Sequence, residues 1–168
     1  MGSGFIPDRA DSPVRRISED AKKILIIHDN RIDQYTQKAH EIGKMIDEMD
    51  GYEVVMDKDY WKPGEKTSPT ETNNREKEMV KIADGAYRFI APSSQTNEPR
   101  HEGSLREVRK VIKSGDPLLE HYFQDAHDSP NRPIPEKNYG KRETLRTKKG
   151  EHVKEKIQKK LNDIFKEN

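Results

Sequence analysis

The fold of this chain is decided by residues 22–56, "KKILIIHDNRIDQYTQKAHEIGKMIDEMDGYEVVM". The run 24–27 is apolar and mostly β-branched, as in a strand that is buried on both faces of a parallel sheet. Apolar side chains then recur every three or four positions, which is typical of a helix: Tyr35, Ala39, Ile42, Ile46 and Met49. "YEVVM", residues 52–56, has the pattern of a second strand. Strand, helix and strand in succession predict a βαβ unit with a right-handed crossover.

The alternation of strands and helices continues to residue 123. "REKEMVKIADG", residues 75–85, has a helical pattern whose buried side is predicted at Met79, Val80, Ile82 and Ala83. "AYRFIAP", residues 86–92, is a predicted third strand, and Leu105, Val108, Val111 and Ile112 define a third helix. "LLEHYF", residues 118–123, is a predicted fourth strand. The pattern predicts a three-layer α/β domain, flavodoxin-like or Rossmann-like, with a mainly parallel sheet of four or five strands.

Polar segments flank this domain on both sides. We expect residues 1–21 to be a flexible extension because they are charged and lack periodicity, and we place the α/β domain at 22–126. Residues 127–150 are rich in Pro, Asn and Lys and are predicted to be an irregular linker. Residues 151–168 return to helical spacing, and this amphipathic C-terminal helix either packs on the domain or pairs with a partner. Its apolar side is Val153, Ile157, Leu161, Ile164 and Phe165.

The composition excludes several classes of function. The chain has no cysteine, so it offers no disulfide, no thiolate nucleophile and no cysteine-based zinc site. This fits a reducing compartment, and we expect a cytoplasmic protein. No apolar run approaches membrane-spanning length, so a membrane partner is not expected. Residues 137–160 carry ten Lys and Arg against three Glu, a net charge of +7, but few aromatic side chains interleave with them, which argues against nucleic acid as a partner.

Long polar loops follow the first three predicted strands. In open parallel sheets, ligands bind outside the carboxyl ends of the strands, so these loops are the expected binding edge. His28 and Asp29 lie in the first loop and could contact a ribose or a base, or could simply be polar loop residues. In the second loop, Asp57 could accept hydrogen bonds from ribose hydroxyls. Trp61, in the same loop, could stack on a nucleobase or cover the sheet edge.

The third helix begins near "GSLREVRKVIKSGDP", residues 103–117. The order of Gly103, Ser104, Glu107 and a later Gly-x-Pro resembles nucleoside 2-deoxyribosyltransferases and related nucleotide N-glycosidases. The resemblance implies that Glu107 attacks or stabilises the anomeric carbon of a sugar while the base departs. Gly103 and Ser104 would hold the sugar or a phosphate at the helix start. The alternative is a Glu107 that only favours the helix N-terminus.

A second resemblance points to the same chemistry. "HDNRID", "YEVVMDKDYWKPGE", "ADGAYRFIAPSS" and the segment 104–107 are similar to Toll/interleukin-1 receptor (TIR) domains. Enzymatic TIR domains cleave the nicotinamide–ribose bond of NAD through a glutamate, so the resemblance implies NAD as a possible substrate, with no cofactor and no metal. Together the two resemblances cover about residues 22–120.

The sequence departs from both families. The Trp-Cys pair that many TIR domains carry between the Ser and the Glu is absent. The acidic residue that deoxyribosyltransferases place after the third strand is replaced here by "APSSQT", residues 91–96, so the general acid is unidentified. A response-regulator receiver is disfavoured because His28 replaces one of its paired acids and Asp57 comes too early for a phosphate acceptor.

The sequence therefore predicts cleavage or transfer at the N-glycosidic bond of a nucleoside, a nucleotide or NAD. The rival hypothesis is a non-catalytic TIR-like or receiver-like interaction module. A second copy of the chain could complete the pocket, so a homo-oligomer is possible. Four residues could be mistaken for a metal cluster, but their spacing fits no strong zinc pattern and favours a structural or solvated role: His121, Asp125, His127 and Asp128.

Overall fold

The computed structural model describes residues 21–28, 33–92, 102–124, 126 and 141–165. Its elements, in chain order, are β1 (Lys22–Ile27), α1 (Asp33–Asp47), β2 (Tyr52–Val55), a short 3₁₀ helix (Asp57–Asp59), α2 (Pro69–Ile82), β3 (Gly85–Ile90), α3 (Glu102–Ser114), β4 (Leu118–Phe123), β5 (Arg142–Thr147) and α4 (Lys154–Ile164). The extension predicted over residues 1–21 lies outside the described residues except for Ala21. Among the described residues, no helix combines the length and apolar character needed to cross a membrane.

The five strands form one parallel sheet in the order β2-β1-β3-β4-β5. This is the flavodoxin-like order, in which the ligand edge lies at the carboxyl ends of the central strands. Ile24 of β1 is paired on one side with Val54 of β2 and on the other with Gly85 of β3. The predicted α/β fold with a mainly parallel sheet is confirmed.

Two helices cover each face of the sheet. Helices α1 and α4 pack on one face with buried side chains that include Ala39, Ile42, Ile46, Ile157, Leu161 and Ile164. Helices α2 and α3 pack on the other face with Met79, Val80, Val108, Val111 and Ile112. The C-terminal helix thus packs back on the domain. A Cβ atom at Gly85 would lie 2.6 Å from Cζ of Phe165 and 3.0 Å from the carbonyl oxygen of Pro117, so a larger residue at the start of β3 would force the Phe165 ring to move.

The prediction of an irregular linker over residues 127–150 is wrong at Arg142–Thr147, which form β5. This strand pairs in parallel with β4 over its whole length. Only Leu145 and Thr147 are buried, and charged or polar side chains alternate with them. An edge strand with one buried leucine in a basic segment gives little of the apolar signal by which strands are recognised. Residues 127–140 lie outside the described part of the chain.

The buried side of α2 differs from the predicted one at one position. Met79, Val80 and Ala83 are buried, but Ile82 is 43% exposed and Glu76 is 5% exposed. Positions 76, 79, 80 and 83 follow the spacing of one helix face, and Ile82 falls outside it. A glutamate therefore occupies the inward stripe of this helix.

Two polar chains cross the last three strands on opposite faces of the sheet. On the face of α1 and α4, Tyr87 Oη lies 2.6 Å from Nδ1 of His121, and Nε2 of His121 lies 2.7 Å from Oγ1 of Thr147. On the other face, Glu120 accepts hydrogen bonds from Arg88 and Arg142, each at 3.1 Å. Because their side chains are hydrogen-bonded in this way, Glu120 and His121 can occupy consecutive positions of a fully buried strand. Asp125, His127 and Asp128 lie outside the described residues.

The outer edge of β2 is closed by hydrogen bonds within the chain. The N–H of Tyr52 donates to the carbonyl of Met49 at 3.2 Å. The N–H of Val54 donates to Oδ1 of Asp47 at 3.0 Å. Both donors are therefore satisfied without a further strand.

Candidate functional site

The candidate site lies at the carboxyl edge of the sheet, where segments from three parts of the chain meet. His28 directly follows β1, Asp57 opens the 3₁₀ helix after β2, and Glu107 lies in the second turn of α3. In a parallel sheet the start of a crossover helix lies near the carboxyl end of the strand before it. The ends of β1 and β2 and the early part of α3 thus lie at one edge of the sheet, while residues 29–32 and 93–101 of the first and third loops lie outside the described residues.

Glu107 is the most unusual residue at this edge. Its side chain is only 7% exposed, and no described residue donates a hydrogen bond to its buried Oε2 atom. Buried carboxyl oxygens are nearly always hydrogen-bonded, so an unpartnered one calls for a further partner such as a water molecule, an ion or a ligand. Burial raises the pKa of Glu107 well above its usual value, and the negative charges of Asp57 and Glu76 raise it further. Arg106 and Lys110 oppose this rise in the pKa and do not cancel it.

Glu76, which the sequence analysis did not single out, is the second buried carboxyl at this place. It accepts hydrogen bonds from Nε and Nη2 of Arg106, at 3.2 Å and 3.1 Å. It also accepts one from Nζ of Lys110 at 3.4 Å. These contacts tie α2 to α3 on both sides of Glu107 along the helix. The detectable signal in the sequence was a charged residue in register with Met79, Val80 and Ala83.

Asp57 is the third acidic group. Burial raises the pKa of its carboxyl, as do Glu76 and Asp59, while His40 lowers it. The Asp57 backbone carbonyl accepts the N–H groups of Tyr60 and Trp61, at 2.8 Å and 2.9 Å, which fixes the turn that follows β2. Asp57 and Glu107 thus lie within electrostatic range of each other, and the pKa of each carboxyl is raised.

Two histidines lie beside these acids. The rings of His28 and His40 meet edge to face, with their centroids 5.0 Å apart. Burial lowers the pKa of His40, and the neighbouring His28 and Lys58 lower it further, whereas Asp57 raises it. His40 lies on α1 and was not among the predicted site residues, since one histidine on a helix carries no spacing signal. It connects His28 to the acidic group.

Trp61 lies in a loop that folds back on α2. Its indole N–H donates to Oγ1 of Thr67 at 3.1 Å, and the guanidinium carbon of Arg75 lies 5.4 Å from the centre of its ring. Arg75 also binds both carboxyl oxygens of Glu65, at 3.1 Å and 2.9 Å, and the carbonyl of Tyr60 at 2.7 Å. The half-buried Trp61 ring packs against the apolar cluster that includes Val108 of α3. This placement agrees with a tryptophan that covers the sheet edge, and nucleobase stacking stays a prediction.

The remaining predicted site residues are less fully described. Asp29 lies outside the described residues. Gly103 and Ser104 belong to the first turn of α3, and their side-chain environment is outside the described part. Among the described residues there is no group of three or more His, Asp or Glu arranged to hold a metal ion. The structure therefore places Glu107 and Asp57 within electrostatic range of each other, and it places His28 in ring contact with His40, which lies within electrostatic range of Asp57.

Comparison with solved structures identifies the fold. A CMP N-glycosidase of Clostridium botulinum, BcmB, is similar with a TM-score of 0.51 and 12% sequence identity, over 84% of this chain and 98% of that chain. A prokaryotic SEFIR domain is similar with a TM-score of 0.50 and 12% identity, over 88% of this chain and 100% of that chain.

The fold is TIR-like and N-glycosidase-like. Both structures match over most of the chain, so the two resemblances in the sequence are confirmed as likenesses of fold. At 12% sequence identity, these likenesses of fold do not show that this chain shares the activity of either protein. No protein-family model matches the sequence, and no curated protein matches it.

Proposed function

We propose that this protein cleaves or transfers at the N-glycosidic bond of a nucleoside, a nucleotide or NAD, with the Glu107 carboxyl at the sugar. The observation that carries the proposal is the buried Oε2 of Glu107, which lacks a hydrogen-bond partner among the described residues and lies at the ligand edge of the sheet. Cleavage of this bond builds positive charge on the sugar, and a fixed carboxylate stabilises that charge or captures it as an ester. A fold shared with a CMP N-glycosidase supports the same chemistry.

The proton for the departing base comes from the pair formed by Asp57 and Glu107. Because the pKa of each carboxyl is raised, the pair holds one proton over a pH range in which ordinary carboxyls are ionised. When the bond of a nucleoside or nucleotide breaks, the base takes this proton and both carboxylates face the positive sugar. The nicotinamide of NAD leaves as a neutral molecule and takes no proton. Water, or an acceptor base in a transfer reaction, then adds at the anomeric carbon and gives up a proton, which returns to the pair or, for NAD, passes to the solvent. In this scheme Asp57, which follows β2, takes the place of the acidic residue that the sequence lacks after β3.

The other predicted residues have binding roles in this proposal. Ser104 and the backbone at Gly103 hold a hydroxyl or a phosphate at the start of α3. His28 and Asp29 contact the ribose or the base from the end of β1. Trp61 is assigned to stack on the base. No cofactor takes part, and NAD enters only as a substrate.

The test is to incubate the protein with NAD and with a panel of nucleosides, deoxynucleosides and their monophosphates, and to follow release of the free base by chromatography. We expect release from at least one class. The Glu107→Gln variant keeps the shape of the side chain and should lose about 100-fold or more of the rate. Glu78→Gln is the matched control, because Glu78 is an exposed glutamate on α2.

Two results would contradict the proposal. Absence of base release from every compound removes the enzyme hypothesis. Release at an undiminished rate in Glu107→Gln keeps the activity and removes Glu107 from its assigned role. Retained near-ultraviolet circular dichroism in the variant ensures that a loss of rate does not come from unfolding.

The second candidate is a non-catalytic TIR-like interaction module, which the likeness to the SEFIR domain favours. Ile82 is a large apolar side chain exposed at the end of α2, and it is the surface position at which a partner contact is tested. This candidate predicts no base release and no effect of Glu107→Gln, together with a loss of partner binding in Ile82→Glu. The base-release assay therefore separates the two functions.

A further inference from the structure

Two cations flank Glu107 on helix α3 without neutralising it. Arg106 precedes Glu107 directly, and Lys110 follows it by three positions. The Arg106 guanidinium reaches Glu76 at 3.2 Å and 3.1 Å, and the Lys110 ammonium reaches it at 3.4 Å. Glu76 thus binds both cations, whereas Oε2 of Glu107 has no partner among the described residues.

The alternative pairing is sterically close. Residues three apart on a helix are neighbours on its surface, and a glutamate placed before a lysine at this spacing forms an ion pair. Adjacent residues on a helix do not face each other, so Arg106 acts on Glu107 through its charge and not by direct pairing. An ion pair with Lys110 would hold Glu107 ionised and would occupy its unpartnered carboxyl oxygen. The buried position of Glu76 on α2 prevents this because its carboxylate offers these cations a fixed partner.

We propose that Glu76 is a positioning residue that sequesters Arg106 and Lys110, so that the Glu107 carboxyl stays unpaired and available to the substrate. The inference rests on the proposed function and adds a residue to it that neither family resemblance includes. Glu76 makes no contact with the substrate in this scheme. It acts through the two cations and through its own negative charge, which favours the protonated form of Glu107 and of Asp57.

The charged groups around Glu107 come from several elements. Arg106 and Lys110 lie on α3 itself and lower its pKa, while Glu76 on α2 and Asp57 after β2 raise it. His40 on α1 and Asp59 in the 3₁₀ helix act on Asp57. Among the groups of this set in the described structure, Glu76 is the one that binds both Arg106 and Lys110. A change at Glu76 is therefore expected to act on Glu107 more than on the other groups.

The first test uses kinetics and a designed rescue. Glu76→Gln keeps the shape of the side chain but loses the charge, so the released Lys110 pairs with Glu107 while the released Arg106 adds positive charge nearby. We expect kcat to fall about 10-fold or more with little change in KM. Adding Arg106→Gln and Lys110→Gln removes the released cations, and kcat should recover by most of that loss. A purely structural role predicts the opposite, since each further substitution would add to the loss. Glu78→Gln again serves as the matched control on α2.

The second test does not depend on activity. The carboxyl carbon of Glu107 is titrated by ¹³C nuclear magnetic resonance, with its signal assigned by its absence in Glu107→Gln. Its pKa should fall in Glu76→Gln and rise again in the triple variant. If Glu76→Gln does not fold, the pKa in the triple variant is compared with that in Glu76→Gln/Arg106→Gln, which leaves Lys110 free and should have the lower value.

The two tests separate the inference from the function on which it rests. An unchanged Glu107 titration in Glu76→Gln, or in the pair of substitute variants, overturns the sequestering role even if the protein is an active enzyme. A titration that responds as expected in a protein that releases no base supports the sequestering role and removes the proposed reaction.

Discussion

Tyr87 Oη and His121 Nδ1 lie 2.6 Å apart inside the sheet, between two strands that are buried on both faces. The other ring nitrogen of His121 is bound to Thr147, so the imidazole is held in place from β3 and from β5. Burial, with the nearby Lys38, lowers the pKa of His121 to about 4. The folded state therefore holds His121 as a neutral imidazole, and protonation of this ring destabilises the fold.

We expect His121 to make the protein sensitive to acid. The pKa in the folded state lies below the unfolded value of about 6.5, so the stabilisation is present above pH 6.5 and is lost as the pH falls toward 4. The loss should be roughly 3 kcal/mol in the free energy of unfolding. Urea denaturation at pH 7 and at pH 4.5 measures it. A His121→Asn variant, which cannot titrate, should show a weaker dependence over this range, and an equal dependence would contradict the assignment.

Glu107 should have the opposite effect on stability. Its folded-state pKa is raised above the unfolded value, chiefly by burial, so its stabilisation is present below about pH 4.5 and is lost as the pH rises through the folded-state pKa. Glu107→Gln removes this loss and should be more stable than the natural protein at alkaline pH. Thermal melts of both proteins from pH 5 to pH 9 provide the measurement. A variant that is equally or less stable at pH 9 would argue against a buried, neutral Glu107.

The pair formed by Asp57 and Glu107 predicts a bell-shaped pH dependence of base release. The reaction requires one proton on the pair, so the rate should fall at low pH when both groups are protonated and at high pH when both are ionised. Because the pKa of each group is raised, the alkaline limb should lie above the usual carboxyl range. Asp57→Asn should abolish this limb. A profile that retains the same alkaline limb in Asp57→Asn would exclude the shared proton.

Trp61 is the single tryptophan of the chain, so its fluorescence reports on the loop after β2. Arg75→Leu removes the guanidinium from the ring and from Glu65, and the emission should shift to longer wavelength as the indole becomes exposed. In the natural protein a bound nucleotide should quench the emission if the base stacks on the ring. Quenching should persist in Glu107→Gln, which keeps the binding groups. Binding shown by calorimetry without any quenching would exclude the stacking role.

Glu120 joins two arginines in the interior, and it should be costly to replace. Its carboxyl is almost wholly buried and pairs with Arg88 and Arg142. Glu120→Gln leaves two cations without their shared anion, and the expected loss is about 3–5 kcal/mol of unfolding free energy. Glu143→Gln on β5 is the control, because its pair with Lys160 is partly exposed and should contribute less than about 1 kcal/mol. Equal losses in the two variants would contradict the role of burial.

The order of strands and helices was predictable from sequence because apolar periodicity is strong in β1, α1 and β4. The site edge followed from the same pattern, since the carboxyl ends of parallel strands face one side. Strand β5 was not predictable because only Leu145 marks it as apolar. Its main signal is pairing with β4, which lies far away along the chain.

The candidate site was predictable only in part. Glu107 and Asp57 were found through family resemblance and loop position. Glu76 and His40 were missed because their importance comes from neighbours on other elements, and no local spacing reports such contacts. Ile82 was misassigned for a related reason. An apolar side chain at the end of a helix is buried only if another element packs against it.

The closed edge of β2 has a consequence for the behaviour of the protein in concentrated solution. An incoming strand would have to displace Asp47 from Val54 before it could add to that side of the sheet. At the opposite margin, β5 carries the exposed Arg146 and the partly exposed Glu143, and charged side chains discourage the addition of a further strand there. We therefore expect both margins of this open sheet to resist strand addition, one through a carboxylate and the other through charge.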